Sequence, residues 1–220
     1  MKARLLLTLA LVTALAGCAE SRRYDQAICV LLDVSGTYAD QKAEVVRILK
    51  REILPTLVPG DTLVVIRIDS QSYEKDNVEA VVTLDPRPSK ANAQKLALAQ
   101  KLDAFAARAE SSTHTDIPGA MMLGAEYLRE LGSESRVMLV FSDMAEDLPD
   151  GSVRKLSEHE FEGVQVVAMN VKRLQPDAAD PERFRARLAS WEERATGAGA
   201  VGFRTFQDDQ KLGGYLADLR

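Results

Sequence analysis

The stretch Ile28-Cys29-Val30-Leu31-Leu32-Asp33-Val34-Ser35-Gly36-Thr37 decides how the rest of the chain is read. Its first half is a continuous apolar run with no alternating polar residue. That pattern predicts a strand buried on both faces, as in a mainly parallel sheet. Cys29 reads as a small buried hydrophobe within it. The second half places a carboxylate and two hydroxyls at positions i, i+2 and i+4. Where a strand turns into a helix, these three groups can converge above the strand end, and Gly36 eases the turn.

Working outward, further apolar runs occur at 62–68 (TLVVIRI), 80–84 (AVVTL), 137–142 (VMLVFS), 164–171 (VQVVAMNV) and 201–206 (VGFRTF). The loop before AVVTL has no room for a helix, which predicts a hairpin with AVVTL as an antiparallel edge strand. Between the runs lie helical patterns. Val46, Leu49 and Ile53 share a face that Pro55 terminates. Leu98, Leu102 and Phe105 share another, with Ser89 as its cap. Ala120, Leu123, Tyr127 and Leu131 form a third, and Phe184, Leu188 and Trp191 a fourth, with Pro181 near its start. A last short helix is predicted over 208–219, and another between the fourth and fifth strands. The order predicts a three-layer, Rossmann-like α/β fold: a mainly parallel central sheet, one antiparallel edge strand and helices on both faces.

Composition narrows the function. The chain has 220 residues with 46% hydrophobic and 28% charged, too apolar for a disordered protein. A net charge of −5 gives no chain-wide footprint for nucleic acid. Two cysteines and two histidines rule out a disulfide scaffold and a four-ligand Cys/His zinc site.

The N-terminus has its own logic. Lys2 and Arg4 precede an apolar run at 5–16 that is too short to span a bilayer. Residues 1–17 are therefore read as a signal peptide. Leu15-Ala16-Gly17-Cys18 resembles a bacterial lipobox, which implies cleavage before Cys18 and lipidation of its thiol. The mature chain would be 203 residues, the 220 less the first 17. Residues 18–25 are the lipidated cysteine and a short polar tether, and 26–220 the folded domain. Ala19, rather than an Asp, follows the cysteine. The resemblance then implies lipid anchoring in the outer membrane, facing the periplasm.

In doubly wound sheets ligands sit outside the carboxyl ends of the strands. Three segments fall there: Asp33-Val34-Ser35-Gly36-Thr37, Thr113 to Ala120, and Phe141-Ser142-Asp143-Met144. Their oxygens are hard ligands, suited to Mg²⁺, Mn²⁺ or Ca²⁺. Each segment also has a plainer use, since Asp33, Ser35, Thr37, Thr115 and Asp116 are all good helix caps. His114 is read as solvent-facing or hydrogen-bonded, His159 has no assigned role, and the acidic run 143–150 is read as a solvated loop beside the site.

Asp33-x-Ser35-x-Thr37, with Thr115 and Asp143 downstream, resembles the metal-ion-dependent adhesion site of von Willebrand factor type A domains. Thr37 stands where that pattern usually has Ser, but supplies the same hydroxyl. The resemblance covers roughly residues 26–206. It implies a divalent cation, Mg²⁺ first, with Mn²⁺ and Ca²⁺ as alternatives. Ser35 and Thr37 would ligate directly, Thr115 directly or through water, and Asp33 and Asp143 often through water. An acidic side chain from a protein partner would fill the open position, and no catalytic group is required.

Two rivals share these residues. One is the same fold in a structural envelope lipoprotein whose site is unused. The other is a phosphatase of the haloacid-dehalogenase type, to whose first motif LLDVSGT is similar. Asp33 would then be the nucleophile, Ser70 the second-motif hydroxyl, and Asp143 with Asp147 the metal pair. Ser35 stands where the general acid is needed, and a hydroxyl cannot donate that proton at neutral pH. No glycine-rich nucleotide-binding signature follows any strand.

Overall fold

The apolar run forms β1 (Gln26–Asp33), and every one of its eight residues is buried. A computed structural model describes residues 25–36, 38–109 and 112–220. The signal-peptide reading of 1–17, the lipidation site Cys18, most of the tether and Thr37 lie outside the described residues.

β1 is central because both faces and both edges are occupied. It pairs in parallel with β2 (Thr62–Ile68) on one side and with β4 (Ser135–Phe141) on the other. β5 (Val164–Met169) and β6 (Gly202–Phe206) continue in parallel, and β3 (Val78–Thr83) runs antiparallel along β2. Among the described residues the order is β3-β2-β1-β4-β5-β6. The predicted hairpin and antiparallel edge are therefore present.

Alternation along β1 sorts its side chains between two cores. Ile28, Val30 and Leu32 pack with α1 (Lys42–Ile48), α2 (Pro88–Ala107) and α6 (Leu212–Asp218). Ala27, Cys29 and Leu31 pack with α3 (Ile117–Leu131) and α5 (Pro181–Gly197). Each large aliphatic side chain so buried contributes about 1.5–3 kcal/mol. Cys29 is fully buried, and burial pushes its thiol well above the ordinary range, so it behaves as a small apolar side chain. Gly124 of α3 passes so close that a Cβ there would lie 2.8 Å from the Cys29 Sγ.

Several expectations need correction. Ser89 is not the cap of α2: Pro88 takes the first helical position and Arg87 precedes it. A proline is preorganised for that position and lacks only an N–H that is unpaired there anyway. The short helix placed between β4 and β5 is not there; the segment is loop and turn. A short helix, α4 (Gln175–Ala179), instead follows β5. α1 does end before Pro55, but through a wide turn over Leu49–Ile53 in which the Leu54 amide reaches the Leu49 carbonyl.

The amino ends of the strands carry a buried ion pair. Asp61 is fully buried and accepts from the Gln26 amide at 3.0 Å and the Val58 amide at 2.7 Å. Arg220, beyond α6, engages both its oxygens, Nη1 at 2.9 Å. This pair ties the last helix to the starts of β1 and β2.

Candidate metal centre

The opposite, carboxyl end of the sheet gathers the predicted site. Asp33 closes β1, and its Oδ1 accepts from the Ser35 amide at 2.8 Å, which bends the chain back over the strand end. Register sets Leu32 beside Phe141 of β4, so Ser142 comes next to Asp33. The Ser142 hydroxyl donates to Asp33 Oδ2 at 2.7 Å and accepts from the Met144 amide at 3.0 Å. Asp143 Oδ1 accepts from the Ala145 amide at 2.9 Å. Two interlocked side-chain turns thus fix the loop after β4.

Thr115 is held by that same loop. Its amide donates to the Asp147 carbonyl at 2.7 Å, and the Asp147 amide returns the bond to the Thr115 carbonyl at 3.1 Å. Ser35 is bridged to Ser112 on the other side, through a Ser112 amide bond to the Val34 carbonyl. Asp33, Ser35, Thr115 and Asp143 are all buried at this end of the sheet. Asp116 serves as the cap of α3: its Oδ1 accepts from Gly119, and its Oδ2 from Arg154 at 3.0 Å and the Ser72 amide at 3.2 Å.

The electrostatics follow from burial. Desolvation holds the Asp33 carboxyl above its ordinary range. The Ser35 and Ser142 hydroxyls and the Ser35 amide pull it back, and the Asp143 carboxylate raises it again. The groups that act most on Asp33 are neutral or negative. The folded pKa exceeds the unfolded one, so the contribution of Asp33 to stability is full at acid pH and lost as pH rises through the folded value. Ionising the buried Asp33 carboxyl beside Asp143 is thus a cost that a cation would offset. Tyr38 lies beside the site, its amide donating to the Ser35 carbonyl at 2.9 Å, and burial with the same two carboxylates raises its hydroxyl.

Two carboxylates, hydroxyls and no soft donor fit a hard divalent cation. Among the described residues, no three His, Cys, Asp or Glu side chains gather as a metal cage. A cation here would therefore depend on Ser, Thr and water oxygens. His114 matches its hydrogen-bonded reading, with Nδ1 3.2 Å from the Asp147 carboxylate. Ser70 faces the Ser112 hydroxyl at 2.7 Å rather than Asp33. The acidic run 143–150 is not simply solvated: Asp143 and Met144 are buried and Glu146 is paired with Arg194.

Sequence reasoning did not single out Ser142, Tyr38 and Trp191 as site residues. Met144 has a left-handed backbone, φ 61°, costly for a residue with a side chain. Its carbonyl accepts from Trp191 Nε1 at 2.8 Å in the interior. Trp191→Phe should cost about 1–3 kcal/mol, the price of an unsatisfied buried carbonyl, and should also move metal binding to higher concentration. Urea unfolding and metal titration check the two effects separately; a loss of stability with unchanged metal affinity would reduce Trp191 to packing.

No protein-family model matches this sequence, and no curated protein matches it. Solved structures do. The pilus adhesin SpaC from Lactobacillus rhamnosus GG overlays 88% of this chain at 13% identity and a TM-score of 0.51. The PilB minor pilin from Streptococcus sanguinis overlays 91% at 7% identity and a TM-score of 0.50. A von Willebrand factor type A protein from Catenulispora acidiphila aligns over 88% at 11% identity, with a TM-score of 0.46. This chain spans 29%, 61% and 41% of those three chains respectively. A mostly parallel six-stranded sheet with one antiparallel edge and helices on both faces, shared with the SpaC and PilB overlays, is the von Willebrand factor type A-like fold that the resemblance implied.

Proposed function

We propose that this protein is a non-catalytic binding domain of the bacterial envelope that holds a protein partner through a divalent cation. The observation that carries the reading is the convergence of Asp33, Ser35, Thr115 and Asp143 at one end of the sheet, two buried carboxylates among hydroxyls. Ser35 and Thr37 would ligate directly, Thr115 directly or through water, and Asp33 and Asp143 through water. Mg²⁺ is the first choice, because a site of few protein oxygens leaves several positions for water; Mn²⁺ and Ca²⁺ are the alternatives. The cation would supply charge for an acidic side chain of the partner. A pilus adhesin and a minor pilin of like fold support a protein-binding role.

The test is titration of the purified protein with Mg²⁺ and Mn²⁺, by calorimetry and by melting temperature. Saturable binding with a rise in Tm is expected. Neither at millimolar metal would favour the structural envelope role.

The proposal includes a lipid anchor on Cys18. Among the described residues no helix is long and apolar enough to cross a membrane. Stable anchoring by acyl chains needs more than one of them. Cys18→Ser should release the protein from the membrane fraction and abolish the added lipid mass. Unchanged fractionation and mass would discard the lipobox reading.

A further inference from the structure

The turn after β5 brings Lys172 to the rim of the candidate metal centre, with Arg173 next to it in sequence. Lys172 Nζ lies 5.6 Å from the centre of the buried Tyr38 ring, and the Tyr38 amide donates to the carbonyl of Ser35, a candidate ligand, at 2.9 Å. Arg173 is exposed and stacks 5.5 Å from the Phe184 ring. Three arginines of α5 are engaged in ion pairs: Arg187 with Asp177, Arg185 with Glu182 and Arg194 with Glu146. Among the described residues, Lys172 and Arg173 have no carboxylate partner.

Charge balance gives these two cations a use. A divalent cation over Asp33 and Asp143 leaves the centre with no net charge, and the chain as a whole carries −5. An acidic partner would be repelled at long range and met by a neutral centre at short range. Unpaired cations at the rim reverse that locally, and rim charges act mainly on encounter and register.

We infer that Lys172 and Arg173 form a cationic rim that receives the flanking carboxylates of an acidic protein segment, one of whose side chains reaches the metal. The inference rests on the cation-binding reading given above. It sets the partner class as a run of Asp and Glu rather than a lone acidic residue.

The test uses a fluorescein-labelled oligoglutamate peptide, followed by anisotropy with millimolar Mg²⁺ over a range of salt. The double variant Lys172→Gln/Arg173→Gln should bind at least about fivefold more weakly at low salt, with a flatter salt dependence. Its metal-induced rise in Tm should persist. A charge-matched Lys90→Gln/Lys101→Gln variant, on exposed positions of α2, should bind as the parent does. Unchanged binding in the rim variant, or an equal loss in the control, overturns the inference. Rim-dependent binding to phosphatidylglycerol vesicles without peptide binding also overturns it, in favour of a lipid surface. If Asp143→Ala removes the metal response but leaves rim-dependent peptide binding intact, the rim stands and the metal bridge falls.

Discussion

Asp143→Ala is expected to erase the metal response of this protein while leaving it folded. At a metal concentration ten times Kd, binding to the native state alone adds about 1.4 kcal/mol. For a chain of this size that is a rise in Tm of roughly 3–6 °C. The variant should show no rise at any concentration. Folding should survive because the Asp143 bond to the Ala145 amide is local, while the Ser142 bonds to Asp33 and Met144 and the Thr115–Asp147 pairing hold the loop independently. Asp33→Asn sharpens the test. It removes a charge that is costly in the metal-free protein, yet an amide can still accept from Ser35 and bond to Ser142. The metal-free Asn variant should melt at or above the parent at neutral pH, and gain nothing from metal. Thermal melts with and without Mg²⁺ decide both. A metal-induced rise retained in both variants would remove the carboxylates from the site.

At the other end of the sheet, Arg220→Ala should be strongly destabilising. Asp61 has no exposed surface, and the guanidinium holds both its oxygens. Removing one partner of a buried ion pair strands the other charge, at a cost of 3–5 kcal/mol in general. Arg220 itself is one-fifth exposed, and water can reach the vacated space, so about 3 kcal/mol is expected here. Asp61→Asn/Arg220→Ala should recover part of that loss, because no charge is then left buried. Urea unfolding of the three proteins measures the difference. A loss below about 1 kcal/mol in the single variant, the range of surface pairs, would make Arg220 an ordinary exposed contact.

Much of the fold was legible because it is written in local patterns. Continuous apolar runs gave the strands, and the polar loop before Val78 was too short for a crossover helix. The short helix was misplaced for a local reason too. Val153, Leu156 and Phe161 are spaced like a helical stripe, yet Gly151 and Gly163 hold positive φ and only Phe161 of the three is fully buried. Nothing near Gln175 advertises a helix except Pro176 in its first turn. The candidate site divides in the same way. Asp33, Ser35, Thr115 and Asp143 were readable from residue type and position at strand ends. Ser142 and Tyr38 adjoin candidate ligands but gave no sign of their contacts, and Lys172 and Trp191 reach the site only through elements far apart in sequence.

Trp191 is the chain's single tryptophan. It is buried, its indole N–H is bonded to the carbonyl of the residue after Asp143, and Arg194 stacks on its ring at 4.0 Å. The molecule therefore carries one indole fluorophore, wired to the loop that bears a candidate ligand. Emission from that indole reports on one place alone, so the proposed ion uptake and partner docking would be open to optical test in the unlabelled protein, without a reporter being introduced.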